Sequence, residues 1–479
     1  MNVMSMKRYI LVLILLCVGR TFAFADSFIQ GRVTCAGKAV AGVVVTNGIH
    51  CTRTDQSGYY QLSWSEGSKY VYISTPSGYL TDRDTTIPRY YEELEQGKTK
   101  GYNFILKKNP KGDDKHVFFV QADIQVTSEK DLDTYNSVVT DCKQLIKENA
   151  DKDIFGVDCG DIVGDSPLLY PSYIKKASPI DVPIYRVIGN HDMDYYGRSF
   201  ETSYHTFEHY FGPQHYSFNK GKAHYVVIDN NYYIGREFYY LGYVDEKTFR
   251  WMEEDLKYTP KGSLVFVIMH MPTRLTEKEL TFKYDYNMIA DQTVNAEALH
   301  KFFKDYDTHF ITGHMHYNLN ICFSDSMMEH NVAAVCGTWW QSDICLDGTP
   351  RGYGVFEVDG SNVKWYYKSS GYSKDYQMRV YPVGASKEQP NDIIANVWNY
   401  DKKWKVEWIE NGKVMGEMTH FTGYDPSAEA FCSDTTKVKY DWISPTPTEH
   451  LFKATPRDAN ATIQVKVTDR FGHVYIKRI

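Results

Sequence analysis

The rhythm of apolar and polar positions changes twice along the chain. Over residues 28–107 it has a period of two. Phe28-Ile-Gln-Gly-Arg-Val-Thr alternates, Val43-Val-Val-Thr-Asn-Gly runs into an Asn-Gly turn, and Thr54-Asp-Gln-Ser-Gly-Tyr-Tyr-Gln-Leu is a polar turn opening another strand. Such runs, separated by turn residues, predict a small all-β module. Asn109-Pro-Lys-Gly-Asp-Asp-Lys is polar and holds both Pro and Gly, which suits a boundary. From about residue 116 short apolar runs alternate with stretches of helical period. Strands are expected at 117–122, 154–159, 182–188, 224–229, 263–269 and 309–312, with helices near 129–149, 200–210, 246–257 and 294–304. That alternation builds α/β layers. After residue 313 the pattern is strand-like again. Runs such as Asp392-Ile-Ile-Ala-Asn-Val-Trp and Ala461-Thr-Ile-Gln-Val-Lys-Val-Thr predict a second β-domain at the C-terminal end.

At 479 residues the chain is too long for one core. The expected division is 26–109, 113–372 and 373–479, preceded by an export signal over 1–25. Lys7 and Arg8 supply its positive start, Tyr9 to Val18 its apolar stretch, and Ala23-Phe24-Ala25 the small residues a signal peptidase needs. The apolar stretch is too short to span a bilayer. This reading puts the mature protein in the periplasm or at the cell surface. A lipid anchor through Cys17 is the rival, disfavoured by the bulky Leu16 before it.

Charge narrows the partners. The whole chain carries −7, and loss of residues 1–25 leaves 50 basic against 60 acidic residues, or −10. An acidic surface is ill suited to duplex nucleic acid or anionic lipid, whose capture rests on Lys and Arg. Aromatic content is 15%, with 39 Tyr, which fits β-rich modules and aromatic-lined ligand surfaces equally. Eight cysteines remain after the signal, with no CxxC spacing, so they form no metal framework. Export permits disulfides, and Cys35 with Cys51 is the first pair to test, against the alternative of buried free thiols.

Candidate chemistry sits where the predicted strands of the α/β region end. In order these motifs are Gln121-Ala-Asp123-Ile-Gln125, Cys159-Gly-Asp161, Gly189-Asn190-His191-Asp192, Met269-His270 and Gly313-His314-Met-His316. Open α/β sheets bind ligands at the carboxyl ends of their strands. Asp and amide oxygens with neutral imidazoles are divalent-metal donors, and this many donors suit two ions better than one. A carboxylate shared by two ions about 3.5–4 Å apart lets the pair clamp both oxygens of an in-line displacement.

These motifs, over 116 to about 370, resemble those of the calcineurin-like metallophosphoesterase superfamily, whose pattern is D-x-H, G-D, G-N-H-[D/E], H and G-H-x-H. The resemblance implies a four-layer α/β/β/α catalytic sandwich flanked by two β-sandwich-like domains, the first similar to carboxypeptidase-regulatory-like or Cna-B-like modules. It implies hydrolysis of phosphate mono- or diesters by in-line attack of a hydroxide bridging two divalent metals. By the same resemblance Asp123 and His316 bind metal one, with Gln125 at the place of a His. Asp161 bridges, and Asn190, His270 and His314 complete metal two. Asn190 also contacts the phosphate. His191 protonates the leaving oxygen, with Asp192 holding its ring. The two ions are expected among Mn, Fe, Zn and Mg. Departures are Gln125, which binds through its weaker amide oxygen or holds a metal-bound water, either case favouring Mn²⁺ or Mg²⁺ over Zn²⁺, or else stands by, and Gly164, beside which Asp165 offers an outer partner.

Tyr195, Tyr196 and Arg198 lie in a loop expected to overhang the metals, where Arg198 either forks onto a phosphate oxygen or is solvated. Trp339 and Trp340 either wall an aromatic pocket or fill a core, and Arg274 is a further candidate contact. His205 and His209 are spaced for a helix face but have aromatic neighbours, so packing is expected; His215, His224 and His309 read as structural. The substrate is expected to be a phosphorylated small molecule, lipid headgroup or glycan. A surface glycan-binding or adhesion protein with an attenuated catalytic domain is the second hypothesis. A metallo-β-lactamase-type hydrolase lacks support, because that chemistry wants a His-x-His-x-Asp-His run and here the His-x-His comes last in the domain.

Overall fold

The strand Lys115–Gln121 organises the central region. All but its first residue are buried, as expected of a strand covered on both faces. In this computed structural model, which describes residues 28–236, 239–278, 283–458 and 460–479, the strand pairs parallel with Asp153–Cys159 on one side. On the other it pairs antiparallel with Gly352–Asp359. Ile184–Val187 and Asn362–Ser369 complete this five-stranded mixed sheet. A second, six-stranded sheet runs Tyr216–Lys220, Ala223–Val227, Leu264–Ile268, Asp307–Thr312, Met327–Asn331, Leu319–Ser324. Its inner strands are parallel and its two edges antiparallel. The central region is thus an α/β domain.

Phe118 of the first sheet shows what joins the two. Its ring stacks on Phe356 at 4.7 Å and meets Phe266 of the second sheet edge-on at 5.0 Å. Its sequence neighbours Val117 and Phe119 point the other way, into a separate cluster with the helix Glu129–Glu148. That helix starts at Ser128, whose side chain accepts the Asp131 N–H, and buries Leu132, Tyr135, Val138, Val139, Cys142 and Leu145 along one stripe. The second sheet likewise sends Val226, Val265 and Val267 against Trp251 and Met252 of Glu246–Leu256 and Leu299 and Phe303 of Ala296–Phe303. Among the described residues no helix is long and apolar enough to cross a membrane. The proposed signal and Cys17 lie outside the described residues.

Both flanking regions are β-rich. Residues 28–108 form a five-stranded and a four-stranded sheet, and 379–478 form two antiparallel four-stranded sheets around Ile393, Trp404, Val406, Phe452 and Val465. The Cys35–Cys51 pairing is corrected: both thiols are free. Cys35 ends a strand of one sheet, paired to Lys38 and Leu106, whereas Cys51 belongs to the other sheet and packs toward the Glu246–Leu256 helix. The helix expected near 200–210 is also shorter. A 3-10 turn at Phe200–Thr202 precedes a helix at His205–Phe211, because the Ser203 carbonyl accepts the Asp194 N–H instead of continuing the helical ladder. A buried polar network fastens the C-terminal region to the centre. His450 bridges Asp347 at 3.0 Å and Asn396 at 2.7 Å, and Asn396 donates to Asp425.

Candidate metal centre

Three of the five motifs leave their strands by abrupt turns. Asp123, Gln125, Asp161, Asp165, His314 and His316 all take positive φ, between 40° and 70°. Few non-glycine residues adopt that conformation, and at a cost of about 1–3 kcal/mol each it persists where surrounding structure enforces it. Glycine appears where even that is insufficient. Gly160 sits at φ 84°, and a Cβ there would lie 2.3 Å from His270 Nδ1; a Cβ on Gly189 would lie 2.1 Å from the Asp161 backbone nitrogen. The donors are crowded together by backbone, not only by side chains.

The result is one buried cluster. Ligand atoms of Asp161, His270 and His314 lie within 4.8 Å of one another. His270 Nδ1 donates to the Cys159 carbonyl at 2.8 Å, so Nε2 faces Asp161 Oδ2 at 3.2 Å and Asn190 Oδ1 at 3.1 Å. His314 is held the other way round: Nε2 meets the Ala290 carbonyl at 3.0 Å and Nδ1 faces His270 at 3.2 Å. Backbone carbonyls thereby select which nitrogen of each imidazole is left to bind a cation.

On the far side of Asp161 a second group of donors gathers. Asp123 Oδ1 is buried without a hydrogen bond, with His316 Nε2 3.4 Å away. Its other oxygen accepts the His314 N–H at 2.9 Å. Gln125 Nε2 donates to Asp161 Oδ2 at 3.1 Å, so the amide oxygen points toward Cys336 Sγ, 3.8 Å away. Asp161 Oδ2 therefore lies between the two groups, and its Oδ1 accepts the His191 N–H at 2.8 Å. Asn190 Nδ2 is buried and unpartnered. Two orphaned polar atoms beside a ring of carboxylate and imidazole donors are the environment a pair of divalent cations would satisfy.

Electrostatics agree with this donor set. Burial opposes ionisation of Asp161, but His270 and His191 more than offset it and hold its carboxyl well below the usual range. Burial and the neighbouring His270 push His314 down to about 3, leaving it neutral with a free lone pair. His270 is raised to about 9 because Asp161 outweighs its burial, so a proton and a cation compete for the same Nε2.

The outer residues divide. His191 Nδ1 contacts Asp165 Oδ1 at 2.6 Å. Asp192 does not hold that ring, which corrects the sequence-based expectation. Its carboxylate accepts N–H groups of Ile162, Val163 and Gly189 and the Tyr170 hydroxyl, and burial with the nearby Asp161 pushes it up to about 7. Adjacent side chains on the tight Asn190–Asp192 turn diverge, so the partner comes from the Asp161 loop instead. The Tyr195 hydroxyl donates to the Asn190 carbonyl, Tyr196 is exposed, and Arg198 is exposed beyond them. Trp339 stacks on His316 at 4.5 Å. Trp340 donates its indole N–H to the Ile124 carbonyl, and Arg274 lies over the Phe323 ring. His205 and His209 face outward. His215 contacts the Gly48 carbonyl, His224 pairs with Asp255 and His309 with His330, all buried. Sequence reasoning missed the Ala290 carbonyl and Cys336 at this site. A backbone acceptor has no sequence signature, and Cys336 reaches His316 only through the fold, with Sγ 4.0 Å from Nδ1.

Three family models match the chain. They are described as the N terminal of calcineurin-like phosphoesterase over residues 27–109, calcineurin-like phosphoesterase over 116–318, and the C terminal of calcineurin-like phosphoesterase over 329–475. No curated protein sequence matches. Similar solved structures include a dimetal phosphatase from Danio rerio, at 13% identity and TM-score 0.39, covering 53% of this chain and 96% of that one. A purple acid phosphatase from yellow lupin (Lupinus luteus) seeds shares 14% identity at TM-score 0.37, covering 72% and 66%. A 5'-nucleotidase from Candida albicans shares 14% identity at TM-score 0.31, covering 53% and 50%.

Proposed function

Because the chain belongs to the calcineurin-like phosphoesterase superfamily, whose members use dinuclear metal centres, we propose that it hydrolyses phosphate mono- or diesters with the cluster around Asp161. The observation that carries this reading is the position of Asp161 Oδ2, between the His270–Asn190–His314 donors and the Asp123–His316 pair.

In this reading Asn190, His270 and His314 would hold one cation and Asp123 and His316 the other, with Asp161 contributing to both. Such a pair supplies Lewis acidity and a water of lowered pKa. The chain's own residues do the rest. The unpartnered Asn190 Nδ2 is available to donate to a phosphate oxygen. His191, oriented through Nδ1 by Asp165, keeps Nε2 free to give a proton to the departing alkoxide. Burial disfavours its charged form, but Asp161 and Asp165 hold its pKa above the ordinary imidazole range. Tyr195, hydrogen-bonded to the Asn190 carbonyl, and Trp339, on His316, border the cluster, and the exposed Arg198 lies three residues after Tyr195 on the same loop. Gln125, which donates to Asp161, leaves the first cation with fewer strong donors and favours Mn²⁺. That same contact favours the second reading, a surface-binding protein with attenuated catalysis.

The core clusters on either side of the two sheets support a four-layer α/β/β/α arrangement for the catalytic domain. The basic start, apolar run and Ala23-Phe24-Ala25 of the sequence support an exported protein. The test is turnover of 4-nitrophenyl phosphate and bis(4-nitrophenyl) phosphate with added Mn²⁺, together with metal analysis. Close to two ions per chain and turnover are expected; no turnover with any divalent metal overturns the reading.

A further inference from the structure

A ladder of aromatic rings leads from the candidate centre to the surface. Trp339 lies on His316 at 4.5 Å and 29°. Trp442 meets Trp339 edge-on at 4.7 Å, and Tyr440 stacks on Trp442 at 5.4 Å and 11°. The first tryptophan follows the catalytic motifs, whereas Tyr440 and Trp442 come from a long segment of the C-terminal region. That segment is tied down beside the site: the Lys439 N–H donates to Gln341 Oε1 at 2.7 Å and the Thr446 N–H to the Leu346 carbonyl at 3.0 Å.

Two observations separate this ladder from ordinary packing. Trp442 is 56% exposed, the highest value among the nine tryptophans, of which Trp251 and Trp398 are fully buried; Tyr440 is 45% exposed. Leaving that much apolar surface in water forgoes the stabilisation of burial, so the free protein gains little from it. Trp339 and Trp340 also take successive left-handed conformations, φ 45° and 61°. For bulky residues these are outliers, and the strain goes into setting Trp339 against His316.

We infer that Trp339, Trp442 and Tyr440 form a stacking subsite for the alcohol side of the substrate, which takes a ring with a flat face, either aryl or pyranose. Aromatic walls hold such faces by dispersion and quadrupole contacts and give little to an open-chain alcohol. The inference rests on the phosphoesterase reading and adds a substrate class to it: phosphoesters of ring-bearing alcohols.

The test compares kcat/KM for phenyl phosphate, glucose 1-phosphate and glycerol 3-phosphate in the wild type, Trp442→Ala, Tyr440→Ala and Trp442→Phe. Trp442→Ala is expected to lower the ratio of ring to open-chain kcat/KM roughly tenfold, through KM, with Trp442→Phe retaining most of it. Whichever ring substrate falls identifies its source. Equal losses on all three substrates, or none, overturn the inference. So does wild-type binding to phosphatidylcholine vesicles that Trp442→Ala abolishes, which would make the patch a membrane contact. Quenching of tryptophan fluorescence by phenol or methyl glucoside reads the subsite without turnover. Quenching lost in Trp442→Ala supports it even if no ester is cleaved, whereas absent quenching in the wild type overturns it.

Discussion

His191 Nδ1 lies 2.6 Å from a carboxylate oxygen of Asp165, 26 residues earlier in the chain, and not from its chain neighbour Asp192. The two acids next to His191 therefore do different work, and substitution separates them. Asp165→Asn should keep both metals and slow hydrolysis of esters with poor leaving groups roughly 10- to 100-fold, leaving 4-nitrophenyl esters less affected. Asp192→Ala should instead destabilise the fold by at least about 3 kcal/mol, since three backbone N–H groups and the Tyr170 hydroxyl lose their acceptor. Leaving-group dependence and denaturant midpoints of the two variants check this pair.

Asp161 is expected to be the most sensitive position. Asp161→Asn should shed both ions and lose roughly a hundredfold or more in rate, beyond what outer partners typically control. Chelation of the wild type should abolish activity and added Mn²⁺ restore it. Metal content by mass spectrometry, measured with the rates, shows whether both ions depend on this side chain.

On the proposed reading Gln125 sets the asymmetry of the pair. Its amide N–H is spent on Asp161 and its oxygen faces Cys336. Gln125→His should raise the affinity of the more weakly held ion about tenfold and shift preference toward Zn²⁺. Competitive metal titration followed by gel filtration reads this as retention of two ions where the wild type retains fewer.

Glu329 carries the stability prediction. It is fully buried, and its carboxylate accepts from Thr273, three residues after His270, and from Thr312, two before His314. Burial pushes it up to about 7, although the Thr273 hydrogen bonds oppose the shift. The folded state thus holds this proton more tightly than the unfolded chain. Its contribution is fully present below the ordinary carboxyl pKa and declines as pH rises toward 7. Glu329→Gln should flatten the fall of the thermal midpoint between about pH 4.5 and 7; an unchanged slope would remove Glu329 as its source.

The positions of the candidate donors could be read from sequence because buried parallel strands must be apolar along their length and expose only their ends. That rule put Asp123, Asp161, Asn190, His270, His314 and His316 at one rim, where the structure brings them together. The acid that orients His191 could not be read the same way. Asp192 is its chain neighbour, but on a tight turn neighbouring side chains diverge, and Asp165 arrives from another loop. Partners that are backbone carbonyls, at Cys159 and Ala290, leave no trace in residue type. Trp442 was invisible for a further reason: its contact with Trp339 spans two regions of the chain.

The pairing of Lys115–Gln121 with Gly352–Asp359 has a consequence in time. A chain made from its N-terminus presents Asp123 early, yet the Asp123 carbonyl accepts its N–H from Cys336, and the strand beside it comes later still. Contacts so far apart in sequence close slowly and late. A chain cut after residue 318 would contain every candidate donor and lack the strand and loop that hold the first of them in place. Possession of the ligands therefore precedes possession of the site, and cation uptake should mark the end of folding, not its beginning.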